Sequence, residues 1–276
     1  MKLLIIGGRG MAGHVLVRYF QSEPGWTVDY TTRSPEDRDG HFLEATDSEA
    51  VAVLLNELRP NIIINAAGVL NQDAEDHPLL AYQVNGLLPH WLRHQADQIG
   101  ARLIHISSDC VFNGIRGQYC EDDRPDGTSV YARSKSLGEI HDQRHLTIRT
   151  SIIGPEIRMY GIGLLQWFLS QRDTVNGYGR VWWNGVTTLE LAKAIEYAIE
   201  RPKIGGLIHL TASETVTKLE LLTLFRDVFN RFSVIIKPDY RVNIDRTLQC
   251  TRQDWHYETP RYRVMLEELA RWMKKA

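Results

Sequence analysis

The feature that most constrains the fold is a short apolar run that glycines stop at once. KLLII at 2–6 is followed by GGRGMAG, and the next dozen residues carry apolar side chains at helical spacing. An apolar run of this length is typical of a buried parallel strand. Gly7, Gly10 and Gly13 therefore form G-x-x-G-x-x-G between a strand and a helix. Glycine permits a tight turn and close backbone approach to a diphosphate, and a helix N-terminus presents free N–H groups to phosphates. The stretch predicts a dinucleotide-binding loop.

The rest of the N-terminal half alternates between predicted strands and predicted helices. Alternation of this kind, with strands apolar on both faces, predicts an α/β fold with a doubly wound parallel sheet of the Rossmann type. The predicted strands are 2–6, 26–32, 61–68, 101–109 and 146–154, and the predicted helices are 48–60, 79–100 and 131–143.

After Gly154 the rhythm becomes less regular. We expect residues 1–155 to form the NAD(P)-binding domain and 156–276 to form mainly a smaller C-terminal substrate-binding lobe. A helix over 186–202 and a strand over 205–212 predict that 186–212 returns to the first domain. The glycine- and aromatic-rich stretch at 175–185 is predicted to be a loop.

Composition excludes several classes of partner. The formal net charge is −2, which favours neither nucleic acid nor an anionic membrane. The apolar run at 2–6 is too short for a membrane span or a signal-peptide core. Three cysteines without C-x-x-C spacing predict neither a disulfide framework nor a zinc site, and they suit a reducing cytoplasm. The ten histidines show no metal-ligand spacing, so no metal site is predicted.

Three polar residues form a candidate catalytic set. Ser108 ends the predicted strand 101–109, and ligands of doubly wound sheets bind beyond the carboxyl ends of strands. Tyr131 and Lys135 are four residues apart, on one face of a predicted helix. A nearby ammonium group, together with the positive charge of an oxidised nicotinamide, is expected to lower the tyrosine pKa, so that Tyr131 acts as acid/base while Ser108 holds the substrate oxygen. By itself, the spacing of Tyr131 and Lys135 does not indicate a catalytic role. A glycine loop and then a strand that ends in serine precede the pair along the chain, and together they favour catalysis.

The second predicted strand indicates which cofactor is bound. An acid at its end would accept the ribose hydroxyls of NAD, but Arg33 stands there and the only acid of the strand, Asp29, lies earlier. Arg9 lies within the glycine loop. Two guanidinium groups near the ribose suit a 2′-phosphate, so NADPH is the expected cofactor, with NADH possible. Two solvated surface arginines are the alternative interpretation.

Five stretches in order match one known family: GGRGMAG, NAAG, ISSDCVFNG, YARSK and RTSIIG. With them the chain resembles the extended short-chain dehydrogenase/reductases, and within these the dTDP-4-dehydrorhamnose reductase group. SSDCVFNG occupies the position of that group's STDYVFDG, and YARSKSLGE occupies the position of its YGxSKxxGE. The likeness is good over roughly the first 155 residues and loose beyond. It implies an NADPH-dependent reductase acting on the 4-keto group of a nucleotide-linked deoxysugar.

The resemblance also implies roles for individual residues. Ser108, Tyr131 and Lys135 take the catalytic positions, and Lys135 also binds ribose. The substrate side carries Asp109, Cys110 and Ile152, together with Trp183, which is equally suited to a core or interface position. The implied cofactor-binding set is Gly7, Arg9, Gly10, Met11, Gly13, Arg33, Glu44, Ala66, Ala67, Gly68, Asn85 and Lys135.

Departures from the family pattern keep other functions open. Cys110 stands where the family usually has Tyr, and no Glu follows Asp109, which argues against a 4,6-dehydratase. VWWNGVTT replaces a later family segment, so the identity of the sugar is open. One alternative is a sugar-nucleotide epimerase, and another is a non-catalytic NADP-binding regulatory subunit resembling that of methionine adenosyltransferase. A homodimer is a possible assembly, since dimers are the commonest homo-oligomers.

Overall fold

The structure of the protein is a computed structural model that describes residues 1–157, 161 and 163–275. Its centre is a sheet of seven parallel strands, in the spatial order β3-β2-β1-β4-β5-β6-β11. These strands are β1 (Lys2–Ile6), β2 (Thr27–Thr32), β3 (His41–Phe42), β4 (Ile62–Asn65), β5 (Arg102–Ile106), β6 (Leu146–Arg149) and β11 (Gly206–His209).

Helices cover both faces of this sheet. The described helices are α1 (Met11–Ser22), α2 (Ser48–Leu58), α3 (Asn71–Asp76), α4 (Pro78–Ala81), α5 (Leu88–Ile99), α6 (Val130–Leu137), α7 (Leu164–Ser170), α8 (Thr188–Ile199), α9 (Lys218–Val228) and α10 (Tyr262–Lys274). A π-helical turn, Tyr82–Leu87, joins α4 to α5.

Strand β1 shows why the sheet is buried on both sides. Leu3 and Ile5 pack in the core beneath α1 and α8, whereas Leu4 and Ile6 pack in the core beneath α2 and α5. Successive side chains of a strand point to opposite faces, so a run without polar residues demands a covering layer on each face. The predicted doubly wound parallel sheet is confirmed.

The sheet order has one reversal, and it lies at β1. The chain winds from β1 outward to β2 and β3, and then returns to β4 on the other side of β1. Ligands of such sheets bind in the crevice beyond the carboxyl ends of the strands at this reversal. The loops after β1, β4 and β5 all open at that edge.

The C-terminal region contributes to the sheet and also forms a separate group of short strands. Strand β11 pairs with β6, and α8 packs against α1, where Glu196 accepts a hydrogen bond from Tyr19 at 2.5 Å. The remaining strands are β7 (Ile152–Ile153), β8 (Thr174–Tyr178), β9 (Val181–Trp183), β10 (Val186–Thr187), β12 (Val216–Thr217), β13 (Ile235–Asp239) and β14 (Ile244–Asp245).

The loop predicted at 175–185 is wrong. Strand β8 pairs in parallel with β13, and β9 pairs with both β12 and β14. Gly177 lies within β8, where a Cβ would come within 2.6 Å of Leu219. Glycine there reflects close packing against α9 rather than a turn, and both partner strands are remote in sequence.

Several other predicted elements differ in extent. The strand predicted at 101–109 ends at Ile106, and a π-helical turn divides the helix predicted at 79–100. The strand predicted at 61–68 ends at Asn65, and the strand at 146–154 divides into β6 and β7. The helix predicted at 131–143 ends at Leu137. It stops where Gly138 packs on the Asn85 carbonyl, a position at which a Cβ would overlap that oxygen.

Candidate active site

One large cavity of about 970 Å³ lies over the carboxyl ends of the sheet strands. The N-terminal half lines it with the loops after β1, β2, β4 and β5 and with α6. The C-terminal lobe closes the other side, with residues from α7, β8 and α9. A cavity of this size accommodates a dinucleotide and a second ligand together.

The glycine loop forms one end of the cavity. Gly7 has φ +80°, which favours glycine, and a Cβ on Gly13 would overlap the Gly7 carbonyl oxygen. Gly10 precedes α1 without a side-chain cap, so the first N–H groups of that helix are available to a ligand. Gly7, Gly10 and Met11 line the cavity, whereas Gly13 lies behind them and permits the close helix packing. The loop fits a diphosphate.

Beside the loop, two arginines and two acids define a polar corner. Arg9, Arg33 and Glu44 line the cavity, and Arg33 is exposed at its rim. Arg9 lies 3.4 Å from Asp37, which also accepts a hydrogen bond from Tyr30 at 3.0 Å. Two cations here suit a ribose 2′-phosphate. Asp37 was not singled out from the sequence because it lies in the loop beyond the strand.

Asp29, the acid noted within β2, has a different role. It pairs with the Lys2 ammonium at 3.4 Å and with His41 at 3.0 Å, away from the cavity. It therefore joins β1, β2 and β3 rather than meeting a ligand.

The segment after β4 forms the floor of the cavity. Ala66, Ala67 and Gly68 all line it. Asn85 does not; it is buried, and its amide bonds the backbone of Val69 in both directions at 2.9 Å. It also donates to Ser134 at 3.0 Å. Asn85 thus fixes the floor against α6, the helix that carries Tyr131 and Lys135.

The two serines after β5 have separate roles. Ser107 donates to Glu139 at 2.7 Å, and Glu139 forms a buried ion pair with Arg149 at 2.7 Å. Ser108 donates to Asp109 at 3.2 Å and accepts from the Cys110 N–H at 3.1 Å. Ser107 therefore fixes the strand end in the core, and Ser108 is the serine placed near Tyr131.

Tyr131 stays protonated in this site. Burial raises the pKa of Tyr131 above its ordinary value of 10; the neighbouring Cys110 and Asp109 act in the same direction, while a hydrogen bond with Ser108 lowers it. The expectation that the lysine lowers the tyrosine pKa is wrong for the protein alone. The Lys135 ammonium donates instead to the Ile106 carbonyl at 2.6 Å.

Lys135 is itself perturbed by its position. Its side chain is buried and lines the cavity. Burial lowers the pKa of Lys135 to about 8, although Glu139 opposes the effect. At neutral pH, Lys135 is therefore a buried ammonium group facing the cavity in most molecules of the protein.

The opposite end of the cavity carries the predicted substrate-side residues. Asp109, Cys110 and Ile152 line it, together with Lys218 of α9. Burial raises the pKa of Asp109, and it raises the pKa of Cys110 to about 12. Cys110 is therefore a thiol at neutral pH and cannot serve as a general base.

Trp183 has a supporting position. It is 3% exposed, stacks on Tyr262 with ring centroids 5.4 Å apart, and donates to Ser151 at 2.8 Å. It does not line the cavity, but its ring lies 4.6 Å below the Lys218 ammonium. Trp182, in contrast, is 40% exposed.

Sequence reasoning missed several residues of this cavity. Thr32 ends β2 and Ser34 follows it, Trp167 lies on α7, Asn176 lies on β8 and Lys218 begins α9. The two residues at the end of β2 were accessible from the strand-end rule that found Ser108. The other three come from elements whose placement depends on contacts between distant segments, and no local pattern marks them.

Two further features are absent from the described part of the chain. Among residues 1–157, 161 and 163–275, no helix combines the length and apolarity that crossing a membrane would need. Nor does that part of the chain contain a group of three or more His, Cys, Asp or Glu side chains arranged to hold a metal ion. Cys110, Cys120 and Cys250 are all free thiols.

Comparison with known sequences gives relatives of two kinds. A probable low-salt glycan biosynthesis reductase of Haloferax volcanii is 28% identical over 271 residues, which cover 89% of this chain and 86% of that protein. The methionine adenosyltransferase 2 subunit beta of Xenopus tropicalis is 26% identical over 253 residues, covering 86% of this chain and 75% of the relative.

Among solved structures, a dTDP-4-dehydrorhamnose reductase from Bacillus anthracis, in complex with NADP, superposes with a TM-score of 0.84 at 21% identity. The match covers 100% of this chain and 99% of that one, and at this identity it shows a shared fold. The family model of the RmlD substrate-binding domain matches residues 1–241. The chain therefore belongs to the RmlD family of extended short-chain dehydrogenase/reductases.

Proposed function

We propose that the protein is an NADPH-dependent reductase of the 4-keto group of a nucleotide-linked deoxysugar. The observation that carries the proposal is the shared cavity, in which Ser108, Tyr131 and Lys135 line one wall and the glycine loop lines one end. A phosphate-binding loop and a proton donor facing one space are the parts that hydride transfer to a carbonyl needs.

Residues of the N-terminal half would hold the cofactor. The N–H groups at the start of α1 suit the diphosphate, and Arg9 and Arg33 suit the 2′-phosphate of NADPH. Lys135 would bind the ribose next to the nicotinamide. The NADP named with the Bacillus anthracis structure supports this choice. A bound nicotinamide supplies the hydride, which no amino-acid side chain can provide.

The protein's own residues would supply the proton and hold the carbonyl. Because burial raises the Tyr131 pKa, its phenol keeps its proton at neutral pH and can give it to the substrate oxygen as negative charge develops there. Ser108 would hold the same oxygen through its hydroxyl. Cys110, a thiol at neutral pH, fits a reductase better than a dehydratase, which needs a base at that place.

A second function is favoured by a specific observation. The relatives named methionine adenosyltransferase 2 subunit beta match across most of this chain. A chain of this kind could bind NADP without turnover and act on a partner enzyme. The presence of Ser108, Tyr131 and Lys135 at the cavity favours the reductase, because a purely regulatory subunit has no need of all three.

A panel of 4-keto nucleotide sugars with NADPH and NADH tests the proposal. We expect NADPH to be oxidised with one or more of them, with formation of a 4-hydroxy product and loss of the keto group. An epimerase would instead interconvert two nucleotide sugars without net NADPH oxidation. NADP binding without turnover of any substrate in the panel would favour the regulatory function. We also propose that the substrate is a nucleotide sugar, that the product is used in glycan assembly, and that the protein acts in the cytoplasm.

A further inference from the structure

One cation at the substrate end of the cavity has no partner of opposite charge in contact with it among the residues that the structure describes. Lys218 lines the cavity on the side of the C-terminal lobe. Within the part of the chain that the structure describes, no carboxylate approaches its ammonium to within 4.0 Å, and no hydrogen bond engages it. The charge of Asp109 acts on it only from a distance.

Three features make this position unfavourable for a lysine without a ligand. Burial lowers the pKa of Lys218 to about 8, which shows that the charged form loses hydration there. Lys218 is the first residue of α9, and the N-terminal end of a helix dipole disfavours cations. Neither loss is offset by an ion pair among the described residues.

The structure nevertheless holds the side chain in place. The Lys218 ammonium lies 4.6 Å from the centroid of the Trp183 ring, within the range of a cation–π interaction. Trp183 is fixed by its stacking on Tyr262 and its hydrogen bond to Ser151. A fixed aromatic ring thus presents the Lys218 ammonium to the cavity.

The position of Lys218 in the cavity indicates which part of a bound ligand its ammonium would contact. Lys218 interacts electrostatically with Asp109 and Cys110, which directly follow Ser108. It therefore lies at the substrate end of the cavity rather than at the glycine loop. A second cation reinforces the positive field: Arg246 Nη1 lies 4.0 Å from Cys110 Sγ, and its Nε donates to the Phe112 carbonyl at 3.0 Å. The Arg9 and Arg33 guanidinium groups belong to the polar corner beside the glycine loop.

We propose that Lys218 on its Trp183 platform forms a subsite for an anionic oxygen group of the substrate, either a phosphate of the nucleotide diphosphate or a carboxylate on the sugar. The proposal rests on the proposed function in assigning the second ligand of the cavity to a nucleotide sugar. It makes Lys218 a specificity-determining residue, because a neutral ligand would leave the half-buried ammonium without an ion-pair partner.

Equilibrium binding to NADP-saturated protein tests the subsite without requiring turnover. The probes are UDP and dTDP, their neutral nucleosides uridine and thymidine, UDP-glucose and UDP-glucuronate. The variants are Lys218→Met, which keeps an unbranched stem over Trp183, and Lys218→Arg, which keeps the charge. Lys237→Met is the matched control, since Lys237 is an exposed lysine of the same lobe and does not line the cavity.

A phosphate ligand predicts that Lys218→Met weakens UDP or dTDP binding by roughly tenfold to a hundredfold, the range of a hydrogen bond to a charged group. A carboxylate ligand predicts that only the preference for UDP-glucuronate over UDP-glucose is lost. In both cases Lys218→Arg keeps most of the affinity, and Lys237→Met changes nothing.

The proposal is overturned if the wild-type protein binds the anionic probes no better than the nucleosides, or if Lys218→Met leaves every affinity unchanged. The affinity for NADP is expected to be the same in all variants. A protein that reduces no 4-keto nucleotide sugar but loses UDP binding in Lys218→Met would disprove the proposed function and leave the subsite standing. Reductase turnover with unchanged probe affinities would do the reverse.

Discussion

The two ends of the cavity are built in different ways. The end proposed to bind the cofactor, here the cofactor end, rests on strand ends of a parallel sheet whose elements follow one another along the chain, from β1 to β5. The end proposed to bind the substrate, here the substrate end, depends on pairings between distant segments, such as β8 with β13 and β9 with β12. Local sequence patterns predict the structure of the cofactor end, whereas contacts between remote segments determine the structure of the substrate end.

Glycines illustrate the same difference. Gly7 and Gly13 are required by the backbone, one by its positive φ and the other by close contact with the Gly7 carbonyl. Gly177 lies in a strand and is required by the packing of Leu219 above it. The first kind is apparent from a strand–loop–helix pattern, whereas the second is apparent only after folding. Substitutions at the two ends should therefore affect different measured quantities.

The largest expected effect is at the chemical step. Tyr131→Phe should lower kcat by roughly a hundredfold to ten-thousandfold, the usual contribution of a general acid. The substitution keeps the aromatic ring and removes the hydroxyl that would donate the proton. NADPH affinity should stay within about twofold. Steady-state kinetics of NADPH oxidation and a fluorescence titration measure the two quantities. Tyr240→Phe, at an exposed tyrosine of the C-terminal lobe, is the control. Unchanged turnover in Tyr131→Phe would remove Tyr131 from the mechanism.

The next effect concerns the buried ammonium of Lys135. Its pKa is lowered from 10.5 to about 8 in the folded protein, so folding favours the neutral form. This contribution to stability is fully present above the unfolded pKa and is lost as pH falls through about 8. The unfolding free energy of the wild type relative to Lys135→Met should rise between pH 7 and 10, by about 3 kcal/mol at most.

Denaturant titrations of the wild type and Lys135→Met at several pH values measure this difference. Lys237→Met, at an exposed lysine, should follow the wild type throughout. A constant difference between the wild type and Lys135→Met would show that Lys135 keeps an ordinary pKa in the fold.

A smaller effect is expected at the polar corner of the cofactor end. Arg33→Ala should lower the preference for NADPH over NADH by about tenfold, because an exposed guanidinium contributes modestly to phosphate binding. The Kd values of the two cofactors measure it. Arg9→Ala should act in the same direction but less, since Asp37 already neutralises part of its charge. An unchanged ratio in both variants would reject the assignment of a 2′-phosphate to this corner.

The smallest effect is expected beneath the substrate end. Trp183→Phe removes the hydrogen bond to Ser151 while keeping most of the ring, so the unfolding free energy should fall by about 1 kcal/mol. NADPH affinity should not change, because Trp183 does not line the cavity. Thermal unfolding with a cofactor titration tests both points. A loss of NADPH affinity as large as that from Arg33→Ala would contradict the separation of the two ends.

Much of the cofactor end was predictable from residues alone. Uninterrupted apolar runs identify the sheet strands, since a strand buried on both faces cannot carry exposed polar residues. The rule that ligands lie beyond strand ends predicts Gly7 and Ser108 at one cavity, and the family resemblance adds Ala66; all three line it. It did not give the roles of Asp37, which holds Arg9, or of Asn85, which fixes the floor, since both depend on contacts across the fold.

By itself the sequence determined the parallel α/β sheet, the glycine loop and the order of Ser108, Tyr131 and Lys135, because each is encoded within a few neighbouring residues. Only the tertiary structure decided that burial raises the pKa of Tyr131, that Trp183 supports rather than lines the cavity, and that Lys218 faces it. Burial and the distances between charges depend on which distant segments pack together. No local pattern contains that information.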